Sequence, residues 1–457
     1  MTELPTAIIG GGPVGLAAAA HLLERGERSI LFEAGERVGA SVLDWGHVRM
    51  FSPWEFNVDA ASVRLLEREG WKMPPAEELP TGAEWVERYL QPLAETPAMR
   101  DVIRTGTRVL HISRHNLDKV KDTEREKSPV QLHIVDGDGR ETLIEARAVI
   151  DASGTWREPN PLGANGLPAL GETNLRGRLV YGIPDVLGSE RERYADRRVM
   201  VVGSGHSAIN VLLDLIQLRY ENPATEIIWV MRGDNLRKVY GGGVDDALPA
   251  RGQLGLRIRD AVEAGALEIV APFAVREVKE MDDGLCVRGV MDGEMQGYYA
   301  DEVIVCTGAR PDLAMLRELR LELDPAVEAA RRLAPLIDPN LHSCGTVRPH
   351  GEPELRQPEP DFYIVGMKSY GRAPTFLAAT GYEQVRSVAA ALCGDWEAAR
   401  NVRLNLPETG VCVTDYAVDE LCCSPAEATQ PALLAIDAIA VAGADAVLAP
   451  AQPQRCC

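Results

Sequence analysis

The chain has 457 residues, with 48 Lys plus Arg against 68 Asp plus Glu and a formal net charge of −20. At roughly 100 to 200 residues per domain this length predicts two or three domains, and 46% hydrophobic with 25% charged residues excludes a mainly disordered chain. So acidic a surface repels nucleic acid and anionic lipid, and neither is an expected partner.

Met1-Thr2-Glu3-Leu4 carries an acidic residue where a secretory leader has basic ones, so a cytoplasmic protein is expected. Thr6 to Ile9 reads as a short buried strand, followed by Gly10-Gly11-Gly12-Pro13-Val14-Gly15, an alanine-rich helix from Leu16 to Arg25, and closure at Gly26. Ser29 to Phe32 is the next strand and ends at Glu33. This is strand, G-x-G-x-x-G, helix, strand, acidic residue, with the acid near the roughly 20 positions expected of a dinucleotide fold. Gly10 would permit the turn, Gly12 the approach of a pyrophosphate, and Gly15 close helix packing, while Glu33 would take ribose hydroxyls.

Val130 to Val135 and Glu141 to Ala146 alternate around the turn 136–139, and the apolar strand Ala148 to Ile150 runs into Asp151-Ala152-Ser153-Gly154. A second copy of the plan begins at Val199 to Val202, continues as Gly203-Ser204-Gly205-His206-Ser207-Ala208, passes through a helix to about Leu218 and reaches a strand from Glu226 to Met231. Arg232 follows it in place of an acid, with Arg237 and Lys238 close behind. Cations there pair with a 2′-phosphate that an acidic residue would repel, so NADPH is expected over NADH. Leu285 to Met291 and Gln296 to Ala300 flank Asp292-Gly293, and Val303 to Cys306 ends in Thr307-Gly308, repeating the first closure.

With these motifs the sequence resembles the flavoproteins with two dinucleotide-binding domains, the group of thioredoxin reductases and flavin-containing monooxygenases, over about residues 5 to 395. The resemblance implies an α/β fold of two Rossmann-like domains, the second inserted in the first, plus a Cys-containing appendage. Expected bounds are 1–180 and 316–404 for the FAD-binding domain, 181–315 for the NADPH-binding domain and 405–457 for the extension. FAD would bind through Gly10, Gly12, Pro13, Gly15, Glu33, Ser153, Gly154, Gly366 and Thr375, and NADPH through Gly203, Gly205, Ala208, Arg232 and Arg237.

The segment 153–161 looks like T-G-x-W-x-x-P-x-P of the monooxygenase-like branch, with Ser153 for threonine. Asp361 to Gly366 marks a return to the first domain, with a helix expected from about Pro374 to Leu392; Gly366-Met367 stands where related chains have Gly-Asp, leaving the ribityl contact unassigned. The redox cysteine pairs of the disulfide reductases are missing, since neither 39–56 nor 178–203 contains Cys.

Segments 45–54 and 368–375 look closest to flavin monooxygenase-like proteins of bacterial metalloid-resistance operons. Arg49, Ser52, Trp54 and Tyr370 are candidates to line the flavin, with packing as the competing role of the aromatics. The F-x-G-x-x-x-H fingerprint is not found, so oxygen transfer rests on resemblance.

Beyond about Asn405 the composition turns to Ala, Pro and acidic residues. Asp437 and Asp445 interrupt the apolar stretch 432–449, which argues against a membrane span. Cys412, Cys422 and Cys423 could hold a trivalent metalloid or soft metal ion, or be incidental thiols; His342, Cys344 and His350 are a weaker group read as loop chemistry. The expected function is an NADPH-dependent FAD oxidoreductase, monooxygenase-like, acting on a soft small molecule such as a trivalent arsenical or thiol. The alternatives are a reductase relaying electrons through the terminal cysteines and a metalloid-binding protein on a flavoprotein scaffold. Homodimerisation is a general expectation.

Overall fold

The computed structural model describes residues 4–246, 248–341, 350–374 and 376–403, which lie within one unit, Met1–Thr414. In chain order come β1 (Thr6–Ile9), α1 (Pro13–Glu24), β2 (Ser29–Phe32), α2 (Ala60–Arg68), β3 (Ile103–Arg104), β4 (Arg108–Arg114), β5 (Val130–Val135), β6 (Glu141–Ala146) and β7 (Ala148–Asp151). The middle holds β8 (Leu179–Tyr181), β9 (Arg198–Val202), α3 (His206–Glu221), β10 (Glu226–Val230), α4 (Pro249–Glu263), β11 (Glu268–Val270), β12 (Ala274–Met281), β13 (Gly284–Met291), β14 (Glu294–Ala300) and β15 (Glu302–Val305). The described chain closes with β16 (Phe362–Ile364) and α5 (Ala378–Leu392).

Two five-stranded parallel sheets result, ordered β16-β7-β1-β2-β3 and β11-β10-β9-β15-β8. The chain leaves the first after β7, builds the second, and returns to pair β16 with β7. In each sheet a strand followed by a glycine turn, β1 or β9, has its sequence successor on one side and a later strand on the other. That reversal of strand order opens a crevice at the carboxyl ends of the strands, where parallel sheets bind ligands. Each sheet carries an antiparallel three-stranded companion, β4-β5-β6 or β12-β13-β14. The hairpins were expected; their first strands, β4 and β12, were not. β8, which crosses the expected join at 180, belongs to the second sheet.

α1 is buried along Val14 to Leu22 because it lies between the first sheet and α5, which explains its alanines: small side chains let backbone approach on both sides. Burying Leu16 and Leu22 completely contributes about 1.5 to 3 kcal/mol each. At the core's edge His21 Nε2 meets Asp59 Oδ1 at 2.9 Å, while Asp59 Oδ2 accepts from the Ser62 N–H at 2.8 Å and so caps α2. Burial alone would raise the Asp59 carboxyl; the His21 charge and these hydrogen bonds outweigh it and hold the group below its ordinary value. Glu359, fully buried, clamps the β4-β5-β6 sheet to the returning chain through Arg114 Nε at 2.7 Å, Arg125 Nη2 at 2.7 Å and the Arg320 N–H at 2.9 Å.

α5 begins at Ala378 rather than near Pro374. Gly371 at φ +58° turns the chain and Leu377 is extended, so the proline stands before the helix and not in its first turn. No helix among the described residues is long and apolar enough to cross a membrane.

Candidate cofactor cradles and the join between them

The first glycine turn is tight for steric reasons that can be assigned residue by residue. Gly10 has φ +99°, and a Cβ there would stand 2.7 Å from the Ala152 carbonyl oxygen. A Cβ on Gly15 would run into the Gly10 carbonyl oxygen, so glycine lets α1 start against the strand end. Gly12 has nothing within 4 Å of its Cβ position, leaving open space at the amino end of a helix that begins with Pro13 at its first position. Unpaired N–H groups and the positive helix end suit a pyrophosphate there.

A cavity of about 290 Å³ adjoins this turn, lined in part by Gly10, Glu33, Ser41, Val109, Ser153 and Gly154. Glu33 is held at its rim: Oε2 accepts from the Gly11 N–H at 2.6 Å and Oε1 from the Gly35 N–H at 2.7 Å. Each carboxylate oxygen retains acceptor capacity for ribose hydroxyls. Opposite, the β4–β5 register slips between Val109 and His111, and Leu110, left out of the ladder, forms part of the cavity wall. Nothing in the local sequence signalled this bulge.

Beside Ser153 lies a buried polar cluster that sequence reasoning missed. Lys368 Nζ donates to Asp151 Oδ2 at 2.7 Å and to Ser153 Oγ at 3.0 Å, while Ser153 donates its hydroxyl to Asp151 Oδ1 at 2.6 Å. Both charged side chains are wholly buried. The ion pair ties the end of β7 to the turn after β16, where Gly366 at φ +68° would put a Cβ 3.3 Å from Val14 of α1. Gln384 Oε1 accepts the Gly366 N–H at 2.7 Å. Asp151 was visible only as the end of a strand, and Lys368 only as the first residue of the segment 368–375, 217 positions further on.

The second turn repeats the first. A Cβ on Gly203, at φ +136°, would collide with the Cys306 carbonyl oxygen, whereas Gly205 has nothing within 4 Å. Ala208 is buried in the first turns of α3. Arg232 follows β10 and donates to the Ala164 carbonyl at 3.0 Å; Arg232, Arg237 and Lys238 are exposed. Phe51 lies against His206, ring centroids 5.4 Å apart, and Trp156 Nε1 donates to Asp44 Oδ2 at 3.0 Å, so the segment 44–51 spans both halves. The His206 ring keeps solvent-accessible surface yet is crowded, and desolvation first, then the Arg251 charge, hold it below the usual histidine value.

The four candidates for lining the flavin are dispersed, and none borders the cavity. Trp54 is fully enclosed with Arg88 over its ring, Ser52 is bonded to Asn57, and Tyr370 packs edge-on to Phe376 at 5.0 Å. Arg49 is exposed and donates to the Leu79 carbonyl at 2.5 Å. Thr375, Cys412, Cys422, Cys423, His342 and Cys344 lie outside the described residues. His350 is buried beside Gln384 Nε2 at 3.0 Å, and no metal-holding group of His, Cys, Asp or Glu occurs among the described residues.

A family model described as pyridine nucleotide-disulphide oxidoreductase matches residues 7–340, and the chain belongs to that family. Ferredoxin–NADP reductase of Lactiplantibacillus plantarum is 24% identical over 319 residues, 69% of this chain and 76% of that protein. Among solved structures, the bacillithiol disulfide reductase from Bacillus cereus has a TM-score of 0.62 at 18% identity, covering 86% of this chain and 99% of its own. The FAD-bound cadaverine monooxygenase from Erwinia amylovora has a TM-score of 0.59 at 13% identity, covering 90% and 98%. These structural likenesses show the fold. Family membership together with two dinucleotide cradles makes the chain an FAD- and NADPH-dependent flavoprotein oxidoreductase.

Proposed function

We propose that this member of the pyridine nucleotide-disulphide oxidoreductase family is monooxygenase-like and oxidises a soft small molecule, a trivalent arsenical or a thiol, without a cysteine relay beside its flavin. The observation that carries this reading is the placement of the described thiols. Cys286, Cys306 and Cys393 are all free, and none borders the cavity beside Ser153. Cys306, buried after β15, donates to the Gly182 carbonyl at 3.2 Å, and burial pushes its thiol up to about 12. The reactive species of a redox thiol is the thiolate, which Cys306 scarcely forms. The soft-substrate assignment rests on the resemblance of segments 45–54 and 368–375 to metalloid-resistance oxidoreductases.

FAD held here would supply two-electron redox chemistry between NADPH and an acceptor. The chain's own task is binding, orientation and exclusion of water. Gly12 and the start of α1 leave room for the pyrophosphate of FAD, Glu33 holds its ribose, and the Lys368–Asp151 pair fixes the Ser153 and Gly366 turns against each other. Gly205 and Arg232 do the same for NADPH. In the net reaction dioxygen is the oxidant: NADPH supplies two electrons and, with one proton from solvent, the hydrogens of water, one oxygen atom joins the substrate's lone pair, and the other leaves as that water.

Turnover under isotopically heavy oxygen tests this, with arsenite or a small thiol as substrate: one labelled oxygen per product and one NADPH per label are expected. Unlabelled product, or NADPH oxidation yielding only hydrogen peroxide, overturns it. A reductase reading is favoured by the likeness to the ferredoxin–NADP reductase and predicts substrate-independent transfer to external acceptors. A relay through the terminal cysteines predicts loss of turnover in Cys422→Ser with Cys423→Ser; the monooxygenase reading predicts unchanged NADPH oxidation.

A further inference from the structure

The two stretches that cross between the sheets are stitched together. The Asn160 N–H donates to the Gly308 carbonyl at 2.9 Å, the Arg310 N–H to the Glu158 carbonyl at 2.9 Å, and Thr307 Oγ1 to the Asn160 carbonyl at 2.8 Å. Arg310 continues the seam with its side chain, Nε donating to Asn160 Oδ1 at 2.9 Å and Nη2 to the Gly166 carbonyl at 3.3 Å. Both acceptors are neutral, so the guanidinium keeps its full charge. Arg372 reaches the same place from the turn after β16: Nη2 of Arg310 and Nη2 of Arg372 each stand 3.9 Å from the Cβ position of Gly166. The two cationic ends are therefore within about 8 Å of one another, inside one Debye length at physiological salt.

Gly166, at φ +81°, places no side chain between them. Acidic residues outnumber basic ones by 68 to 48 in this chain, so carboxylate partners are plentiful. Yet among the described residues neither Arg310 nor Arg372 forms an ion pair; Arg310 donates only to neutral oxygens, and its acidic neighbours Glu158 and Asp312 border the cavity of the first cradle. Two guanidinium groups without carboxylate partners, that of Arg372 exposed, approach the same glycine and make a local positive field in a negative molecule. Such a field concentrates small anions, and guanidinium recognises carboxylate or sulfonate through charge-assisted hydrogen bonds.

We propose that Arg310 and Arg372 form an anion-binding site for the small molecule that meets the reduced flavin, which therefore carries a carboxylate or sulfonate group; among soft substrates this selects a thiol acid over arsenite. This rests on the flavoprotein reading and is independent of oxygen transfer. Placement supports it. Arg372 follows the Gly366 turn of the FAD cradle, Arg310 follows the β15 exit beside the NADPH cradle, and both reach Gly166 on the stretch between the two sheets. The cations suited to the NADPH 2′-phosphate, Arg232, Arg237 and Lys238, belong instead to the segment after β10. Arg232 nevertheless touches the Ala164 carbonyl, two residues from Gly166, so the competing assignment is an enlarged 2′-phosphate pocket.

The test uses two quinones of like skeleton, 1,4-naphthoquinone-2-sulfonate and the neutral 2-methyl-1,4-naphthoquinone, with the FAD-loaded full chain. In either reaction the quinone takes two electrons and two protons, NADPH supplying a hydride and solvent one proton. Arg372→Gln lowers kcat/KM for the sulfonate about tenfold, leaving the neutral quinone and the KM for NADPH within about twofold; Arg372→Lys recovers part of the loss through its retained charge. Arg310→Gln adds to the effect, but its seam to Asn160 makes Arg372 the cleaner site. An equal fall for both quinones, or no fall for either, overturns the proposal. A rise in KM for NADPH with NADH unaffected overturns it in favour of the 2′-phosphate pocket. Turnover of the neutral quinone with NADPH checks the flavoprotein reading separately, so failure of one is distinguishable from failure of the other.

Discussion

Replacing Lys368 by methionine removes an ammonium from a site where it and Asp151 are both inaccessible to solvent, at 2.7 Å. The carboxylate left behind keeps two donors, the Ser153 hydroxyl at 2.6 Å and the Ser153 N–H at 3.1 Å. Breaking one side of a buried pair costs about 3 to 5 kcal/mol because a charge remains without compensation. With two hydrogen bonds retained, Lys368→Met falls at the lower end, about 3 kcal/mol, which is somewhat over a hundredfold in the folding equilibrium. Adding Asp151→Asn removes the stranded charge while preserving an acceptor for Ser153, and the double variant regains all but about 1 kcal/mol. Urea unfolding of the FAD-free variants, followed by far-ultraviolet circular dichroism, measures the cost; FAD titration by flavin fluorescence measures the effect on the cradle. A loss below about 1 kcal/mol for the single variant, or a double variant no more stable than the single one, refutes the reasoning.

Gly15→Ala drives a methyl into the Gly10 carbonyl, and gel filtration should show protein emerging without FAD. If Arg232 pairs with the 2′-phosphate as proposed, Arg232→Gln removes a charge-assisted contact worth about 1.5 to 3 kcal/mol, so KM for NADPH rises at least about tenfold while that for NADH is unchanged, read by steady-state kinetics. Asp59 is held below 3.8 in the folded chain, so its contribution to stability is present above 3.8 and is lost as pH falls through the folded value. Thermal unfolding of Asp59→Asn from pH 3 to 7 should show lower stability at neutral pH and a flatter acid limb. With its thiol near 12, Cys306 is ionised in roughly one molecule in ten thousand at pH 8; peptide mapping after iodoacetamide treatment of the folded protein should find it unmodified, and Cys306→Ser should retain turnover.

Local signals carried much of the architecture. The two glycine turns announce themselves because strand, turn, helix and second strand are contiguous, and the observed β1, α1, β2 and β9, α3, β10 fall within a few residues of expectation. The first strands β4 and β12 went unseen: β4 is separated from its hairpin by residues 115–129, and the Asp283-Gly284 turn signal before β13 went unused. The start of α5 was misplaced because a proline suggests a first helical turn only when the preceding residues allow it, and Gly371 redirects the chain first.

Site features built by distant segments were the least legible. Lys368 and Asp151 meet only because β16 returns beside β7, and Arg310 and Arg372 converge only because a crossing stretch and the turn after β16 both reach Gly166. Trp54 and Tyr370 illustrate the reverse difficulty. An aromatic's sequence neighbourhood does not distinguish packing from lining, and here both are enclosed in the core of the first sheet.

The two cradles would bring NADPH to reduce FAD. Anaerobic stopped-flow absorbance of the FAD-loaded protein tests it most directly, with NADPH and NADH compared at equal concentration. Bleaching of the oxidised-flavin band by NADPH, faster than by NADH and with that preference abolished in Arg232→Gln, is the predicted result. A flavin band that neither nucleotide bleaches would contradict the account.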